Sequence, residues 1–202
     1  MSKRMFASTQ FQPKEFVFNR ENKFEEERII AKYPIGCQAS ALLPLLDLAQ
    51  RQHGGWLPKI AIRYVAGLLD VSEVRAFEVA SFYTMFNLSP RGKFLVQLCR
   101  TTPCWLRGSD ELREACAGHL GIKFDETTSD GVFTLVEVEC LGACVNAPMI
   151  QINDDYYEDL DPKRIVELLD SLKAGVSVNI GSQNPCRRFS ESAAGLTTLT
   201  DT

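Results

Sequence analysis

Four of the seven cysteines in the chain stand in two closely spaced pairs. Cys99 and Cys104 are separated by four residues, Cys140 and Cys144 by three, and 35 residues lie between the two pairs. Each pair follows directly after a segment that we predict to be a strand. If the two strands are parallel neighbours joined by a crossover, both loops leave the sheet at the same edge. We therefore expect the four sulfurs to converge there.

Three kinds of site can be built from such thiols: a cluster of two irons and two sulfides, a single zinc ion, or a dithiol that forms a disulfide. Zinc sites favour cysteines two residues apart, because that tight turn sets two thiolates on one small ion. The wider spacings here suit a 2Fe-2S cluster. Gly142 and Ala143 leave backbone N–H groups free to approach the sulfurs, whose negative charge needs such donors. The spacing favours 2Fe-2S and leaves zinc and a dithiol as alternatives.

The other three cysteines and both histidines are expected to have structural roles. Cys116 falls on the apolar face of a predicted helix, while Cys37 and Cys186 have no second cysteine close by, so all three are predicted to be plain thiols. His53 precedes two glycines and His119 lies on a helix stripe, which predicts capping or packing for both.

The segments around the cysteine pairs alternate between strand and helix patterns. We predict strands at 93–98, 132–139, 149–153 and 156–157, and helices that begin near Ser109 and at Pro162, the latter capped by Asp161 and ended by Gly175. This order builds a mixed sheet with helices packed on it, which is the thioredoxin-like arrangement. Pro148, just ahead of the third strand, fits it.

The rest of the chain divides by its pattern. Residues 1–20 show no sustained period and are predicted to be an N-terminal arm. Residues 21–90 carry apolar residues at helical spacing, which predicts a helical bundle in which Asp70 caps one helix. Residues 91–175 form the predicted thioredoxin-like 2Fe-2S domain, and the polar residues 176–202 an extended tail, disordered alone or laid over a neighbour. The predicted fold class is α/β, an N-terminal helical bundle followed by a thioredoxin-like mixed-sheet domain.

Composition and charge exclude several classes of protein. The chain has 202 residues, of which 45% are hydrophobic and 24% charged, as in ordinary globular proteins. No uninterrupted apolar run approaches the ~20 residues of a membrane-spanning helix, so direct membrane insertion is not expected. The N-terminus has no apolar segment of the kind a secretory signal requires. The net charge of −4 gives no general basic field, so nucleic acid is not an expected partner.

The negative charge is concentrated in one segment. Residues 125–170 contain twelve acidic residues against Lys163 and Arg164, a net charge of −10, and the remainder of the chain carries +6. This segment is either a solvated acidic face or part of a docking site for a basic partner.

Several motifs of substrate and cofactor binding are missing from the sequence. It has no glycine-rich dinucleotide loop after a strand, no Walker-type phosphate loop, no nucleophile elbow and no HExxH sequence. We therefore expect neither a nicotinamide nor a flavin pocket. A one-electron centre without a substrate pocket is a relay component and needs partners on both sides.

The sequence resembles the NuoE family, the thioredoxin-like 2Fe-2S subunits of respiratory NADH:quinone oxidoreductase, or complex I. The resemblance spans both predicted domains. Four phrases carry most of it: Leu-Ala-Gln-Arg-Gln-His-Gly-Gly-Trp-Leu-Pro (48–58), Ser-Phe-Tyr-Thr-Met-Phe (81–86), Cys-Arg-Thr-Thr-Pro-Cys-Trp-Leu-Arg-Gly-Ser (99–109) and Glu-Cys-Leu-Gly-Ala-Cys-Val-Asn-Ala-Pro-Met (139–149).

The resemblance implies that Cys99, Cys104, Cys140 and Cys144 hold one 2Fe-2S cluster. It also implies an electron-transfer subunit with no substrate site of its own, inactive as an isolated chain. Such a subunit takes electrons from the flavin of the NADH-oxidising partner subunit and has a neighbouring iron-sulfur subunit. Related subunits serve NAD-linked hydrogenases and formate dehydrogenases, but the tail phrase at 194–200 and the helical domain favour complex I.

The location implied by the resemblance is peripheral, held to the membrane through the complex. The chain has no long leader rich in arginine and serine, which favours the cytoplasmic face of a bacterial inner membrane. The matrix side of the mitochondrial inner membrane is the alternative.

Overall fold

The computed structural model describes residues 5–187. The chain divides between residues 91 and 92 into two compact units. The first unit contains helices and the second contains the sheet, which confirms the predicted fold class.

The first unit contains four α-helices within its described residues. They are α1 (Arg20–Ile30), α2 (Leu42–Gln52), α3 (Lys59–Leu68) and α4 (Glu73–Phe82). The Asn19 side chain caps α1 by accepting a hydrogen bond from the Asn22 amide at 2.8 Å. The cap of α4 is Ser72, so the prediction of Asp70 as the cap was wrong. Asp70 instead has a left-handed backbone with φ +51° in the turn before α4.

The core of this unit is made by the apolar stripes of the helices. Leu45, Leu46, Ala49 and Val65 have no exposed surface. The predicted arm also contributes, because Phe18 is 2% exposed and belongs to the same core. Before α1 the chain therefore packs on the bundle and includes a short 3-10 turn at Thr9–Phe11.

The second unit, as far as residue 187, is built on a six-stranded mixed sheet. Its strands are β1 (Phe94–Cys99), β2 (Glu126–Thr127), β3 (Phe133–Val138), β4 (Ile150–Ile152), β5 (Asp155–Glu158) and β6 (Gly181–Ser182). Their order across the sheet is β2-β3-β1-β4-β5-β6. β1 and β3 are parallel, whereas β4 is antiparallel to both β1 and β5. The predicted crossover and hairpin are thereby confirmed.

In the described residues of this unit, three α-helices accompany the sheet: α5 (Thr102–Leu106), α6 (Ser109–Leu120) and α7 (Pro162–Lys173). Asp161 caps α7 as predicted, accepting a hydrogen bond from the Arg164 amide at 2.8 Å. The sheet and the two long helices share one core, to which Val96, Leu112 and Ile165 contribute without exposed surface. This core fixes the sheet edge where the cysteine loops begin.

The short elements β2, α5 and β6 were not predicted from the sequence. β2 extends one edge of the sheet, α5 lies between the first two cysteines of the site, and β6 pairs in parallel with β5 at the other edge. Residues 176–187, which belong to the predicted tail, are therefore in part attached to the sheet. The remainder of that predicted tail, including the phrase at 194–200, lies outside the described residues.

Candidate metal centre

The two cysteine loops leave neighbouring parallel strands at the same end. Cys99 is the last residue of β1 and stands opposite Val138, the last residue of β3. Cys140 follows β3 by two residues, and Cys104 lies within α5. The pairing of β1 with β3 explains the approach of the loops, because parallel neighbours release their chains at one edge.

The first pair of cysteines is buried. Cys99 and Cys104 are 2% and 1% exposed and pack with Ala143, Ala147 and Met149, so residues of the second loop cover the first pair. Burial raises the pKa of the Cys104 thiol to about 12, and the nearby Cys99 adds to this rise.

Cys99 is the more acidic thiol of this pair. Burial acts to raise the pKa of Cys99, but hydrogen bonds from Thr101, from the Leu141 backbone and from Cys104 together lower it. The Thr101 hydroxyl lies 3.4 Å from the Cys99 sulfur. Leu141 belongs to the second cysteine loop, so this loop supplies a donor to the first pair.

The second pair of cysteines is exposed. The sulfurs of Cys140 and Cys144 are 3.9 Å apart, and the Gly142 amide donates to the Cys140 sulfur at 3.4 Å. Gly142 has φ +83°, a conformation that favours glycine. Small residues in this loop were predicted to let backbone N–H groups approach the sulfurs, and the Gly142 amide does so. The neighbouring Cys140 thiol raises the pKa of Cys144.

Electrostatic interactions join the two pairs. The Cys144 thiol acts on the pKa of Cys104, and the Cys99 thiol on the pKa of Cys144, so the two cysteine loops lie near one another. Among residues 5–187, no three His, Cys, Asp or Glu side chains form a group tight enough to hold one metal ion. Two pairs of thiols that lie near one another suit a wider, two-iron cluster better than a single zinc ion.

Hydrogen bonds from β5 and its neighbours hold the second loop. The Tyr156 hydroxyl donates to the Leu141 carbonyl at 2.7 Å, and the Asn146 side-chain amide donates to the buried Glu158 carboxylate at 2.7 Å. Asn146 is 2% exposed and Glu158 has no exposed surface. Neither contact could be predicted from the sequence, because the spacing of these residues does not distinguish buried polar pairs from surface residues. The Ala147-Pro148 peptide that ends this loop is cis.

An ion-pair network anchors the first cysteine loop. This network was not predicted from the sequence. Arg100, next to Cys99, pairs with Asp110 at 3.0 Å and with Glu137 at 3.1 Å. Arg113 pairs with the same Glu137, and the Trp105 indole donates to Asp110 at 2.9 Å. This network ties the loop to α6 and β3, the elements on either side of it.

The positions of the remaining three cysteines and both histidines are consistent with the structural roles predicted for them. Cys116 is fully buried in the core of the second unit, and Cys37 and Cys186 are exposed thiols without a disulfide. His53 ends α2 and packs edge-on against a neighbouring tryptophan, while His119 bonds to Asp170 at 2.8 Å. None of the helices in the part of the chain that the structure describes is long and apolar enough to cross a membrane.

Comparison with known proteins places the chain among iron-sulfur proteins. The sequence profile of the thioredoxin-like 2Fe-2S ferredoxin family matches residues 26–173. A NADH-quinone oxidoreductase subunit of Rickettsia bellii is 59% identical over 158 residues, which are 78% of this chain and 95% of the relative.

Two further proteins extend this comparison. The mitochondrial NADH dehydrogenase [ubiquinone] flavoprotein 2 of Dictyostelium discoideum is 54% identical over 184 residues, or 91% of this chain and 74% of the relative. The crystal structure of an NAD+-reducing NiFe-hydrogenase aligns with a TM-score of 0.57 at 22% identity, covering 66% of this chain and 23% of the hydrogenase chain, which is a likeness of fold. The chain belongs to the thioredoxin-like 2Fe-2S ferredoxin family, in the branch formed by the NuoE subunits of NADH-quinone oxidoreductase.

Proposed function

We propose that Cys99, Cys104, Cys140 and Cys144 are the ligands of one 2Fe-2S cluster, through which the chain transfers electrons inside NADH:quinone oxidoreductase. The observation that carries this proposal is the position of both cysteine loops at one edge of the sheet, where residues of the second loop pack on Cys99 and Cys104. The family match and the relatives from NADH-quinone oxidoreductase support the same function.

The chain itself contributes shielding and charge stabilisation to the site. A bound 2Fe-2S cluster supplies one-electron transfer. Cys99 and Cys104 are buried, so the surrounding protein shields their side of the site from water. Cys140 and Cys144 are exposed, which leaves their side open to a partner. The Thr101 hydroxyl and the Gly142 amide approach the sulfurs and stabilise their negative charge.

The partner that we propose is the flavin-bearing, NADH-oxidising subunit, with a second iron-sulfur subunit as its neighbour. Apolar side chains directly follow two of the cysteines in the sequence. Trp105 and Leu106 come after Cys104 and are 54% and 70% exposed, and Val145 comes after Cys144 and is 74% exposed. Exposed apolar side chains beside a redox site favour docking of a partner protein. We also propose that the subunit is peripheral to the membrane, on the cytoplasmic face of a bacterial inner membrane or, as the alternative, on the matrix side of the mitochondrial inner membrane.

A dithiol oxidoreductase is less well supported. Cys99 and Cys104 have pKa values shifted in opposite directions, as in many reactive dithiols. Both thiols are nearly completely buried, however, so the thiols or disulfides of a protein substrate cannot reach them.

The proposal is tested on the full chain purified without oxygen. Iron and acid-labile sulfide are each expected at about two per chain, with the visible absorption of a 2Fe-2S cluster. Replacing any one of the four proposed ligands by serine is expected to abolish or distort the reduced-state EPR signal, because a serine oxygen is a poorer ligand of iron than a thiolate. Cys37→Ser is the matched control and should keep the signal. One zinc per chain without sulfide would overturn the proposal.

A further inference from the structure

After helix α7 the chain returns to the proposed cluster site. Beyond α7, Gly181 and Ser182 form β6 and pair in parallel with Tyr157 and Glu158 of β5. The Gln183 amide donates to the Glu158 carbonyl at 2.9 Å and extends this pairing. The segment that follows is thereby carried along the sheet edge towards the second cysteine loop.

A buried carboxylate receives this segment. Asp159 is 8% exposed and accepts two short hydrogen bonds, from the Ser182 hydroxyl at 2.6 Å and from the Arg187 guanidinium at 2.6 Å. Each carboxylate oxygen has one of these donors. The carboxylate of the Arg187–Asp159 pair is therefore shielded from solvent. Charged hydrogen bonds are stronger in such surroundings than in water.

The same arginine also binds the backbone of the cysteine loop. A second guanidinium nitrogen of Arg187 donates to the Val145 carbonyl at 2.8 Å, and Val145 directly follows Cys144. On the other side of this turn, the Asp159 amide donates to the Asn146 carbonyl at 2.8 Å. Arg187 and Asp159 thus hold two successive carbonyls of the turn that begins at Cys144.

We propose that Ser182, Arg187 and Asp159 form a clasp that positions the second cysteine loop around the cluster. This inference rests on the proposed function, because it takes Cys140 and Cys144 as cluster ligands. The three residues are positioning residues that act through the loop backbone. Residues 181–187 therefore have a role within the chain itself, apart from any contact with a partner.

Arginine suits this position because of its shape. Its planar guanidinium donates in two directions at once, here to a carboxylate and to a carbonyl. A lysine at this position keeps a positive charge for Asp159 but cannot span both acceptors as a rigid fork. An alanine leaves the buried carboxylate with only the hydroxyl donor and releases the Val145 carbonyl.

The test uses the full chain in three variants: Arg187→Ala, Arg187→Lys and the control Arg63→Ala. Arg63 makes a surface ion pair with Glu73 in the first unit, at 3.1 Å. Two properties are measured: the half-life of the cluster against an iron chelator, followed by visible absorption, and amide hydrogen exchange of residues 144–147 in the cluster-free chain. Circular dichroism establishes that each variant is folded.

Arg187→Ala is expected to shorten the half-life of the cluster about tenfold and to speed exchange in residues 144–147, with Arg187→Lys in between and Arg63→Ala unchanged. An Arg187→Ala chain that matches the unsubstituted chain in both measurements would overturn the clasp. A variant that loses its fold is replaced by Ser182→Ala, which removes one donor and is expected to change both properties in the same direction. If the unsubstituted chain binds no 2Fe-2S cluster, the proposed function fails, but hydrogen exchange still tests whether the clasp holds the loop.

Discussion

Five of the seven cysteines of the chain occupy three different environments. Cys99 and Cys104 are buried beside other thiols, and Cys140 and Cys144 are exposed beside each other. Cys116 is buried alone in an apolar core, which raises its pKa to about 12 through burial. Their surroundings therefore separate thiols suited to bind metal from one that is part of the core.

Cys116 is expected to resist alkylation in the folded chain. The thiolate is the reactive form, and a thiol with a pKa of about 12 is almost wholly protonated at pH 8. Iodoacetamide at pH 8 should therefore modify the exposed Cys37 and Cys186 and leave Cys116 unmodified, as measured by mass spectrometry of peptides. Unfolding the chain in denaturant should remove the difference. Rapid modification of Cys116 before unfolding contradicts the buried placement.

The sequence identified candidate ligands more readily than the residues that support them. Paired cysteines after two strands are visible in a sequence because spacing and residue type together mark them. Glu158 and Arg187 look like any charged surface residues, yet one is buried under Asn146 and the other reaches the Val145 carbonyl. Only the folded chain brings these partners together, since they are separated by 12 and 42 residues.

The helix α7 shows how local signals define an element. Asp161 caps its first turn, Pro162 occupies the position where no amide hydrogen is needed, and Ile165, Leu168 and Leu169 face the core. All of these features can be identified in the sequence, and the bounds of the helix follow from them.

Loss of the α7 cap is expected to lower the stability of the second unit. Asp161→Ala removes the acceptor of the Arg164 amide and should cost about 1 kcal/mol, which lowers the melting temperature by about 2–4 °C. Lys163→Ala is the control, because Lys163 is 85% exposed and its 3.8 Å pair with Glu167 contributes little. Thermal unfolding of both variants, followed by circular dichroism, measures the difference. If Asp161→Ala and Lys163→Ala unfold at the same temperature, the Asp161 cap does not stabilise the second unit.

The shortest elements could not be predicted from periodicity. β2 and β6 have two residues each and α5 has five, whereas an apolar pattern can be recognised only over about 4–8 residues of a strand or 11–18 of a helix. Two of them lie at the edges of the sheet, where pairing with a neighbour decides the structure. β6 in particular lies in a polar stretch whose composition alone suggests disorder.

Ion pairs within the chain partly neutralise the acidic segment 125–170. Many acidic residues of segment 125–170 pair with basic residues of the second unit, as Glu137 does with Arg100 and Arg113, and Asp130 with Lys173. Pairing within the chain lowers the field that this segment offers to a basic partner. The apolar side chains beside the cysteines become the stronger candidates for the partner contact.

A charge placed among these apolar side chains is expected to weaken docking. Leu106→Asp and Val145→Asp introduce a carboxylate at positions 70% and 74% exposed, so the fold and the cluster spectrum should remain intact. Binding to the flavin-bearing subunit should fall at least about tenfold, because the carboxylate must be desolvated in the interface. Ile35→Asp, at a fully exposed position of the first unit, is the control. Unchanged binding of both variants, measured by surface plasmon resonance, excludes these residues from the contact.

The isolated chain is expected to be an electron carrier without dehydrogenase activity. Its sequence contains no phosphate-binding loop and no flavin motif, so it should neither bind NADH nor reduce an artificial acceptor with it. Dithionite, which needs no binding site, should still bleach the cluster absorption. Adding the flavin-bearing subunit should allow NADH to reduce the cluster, as measured by EPR of samples frozen after mixing. NADH oxidation by the chain alone would place a nucleotide site in this chain and defeat the carrier function, whereas reduction that requires the partner assigns NADH binding to the flavin-bearing subunit.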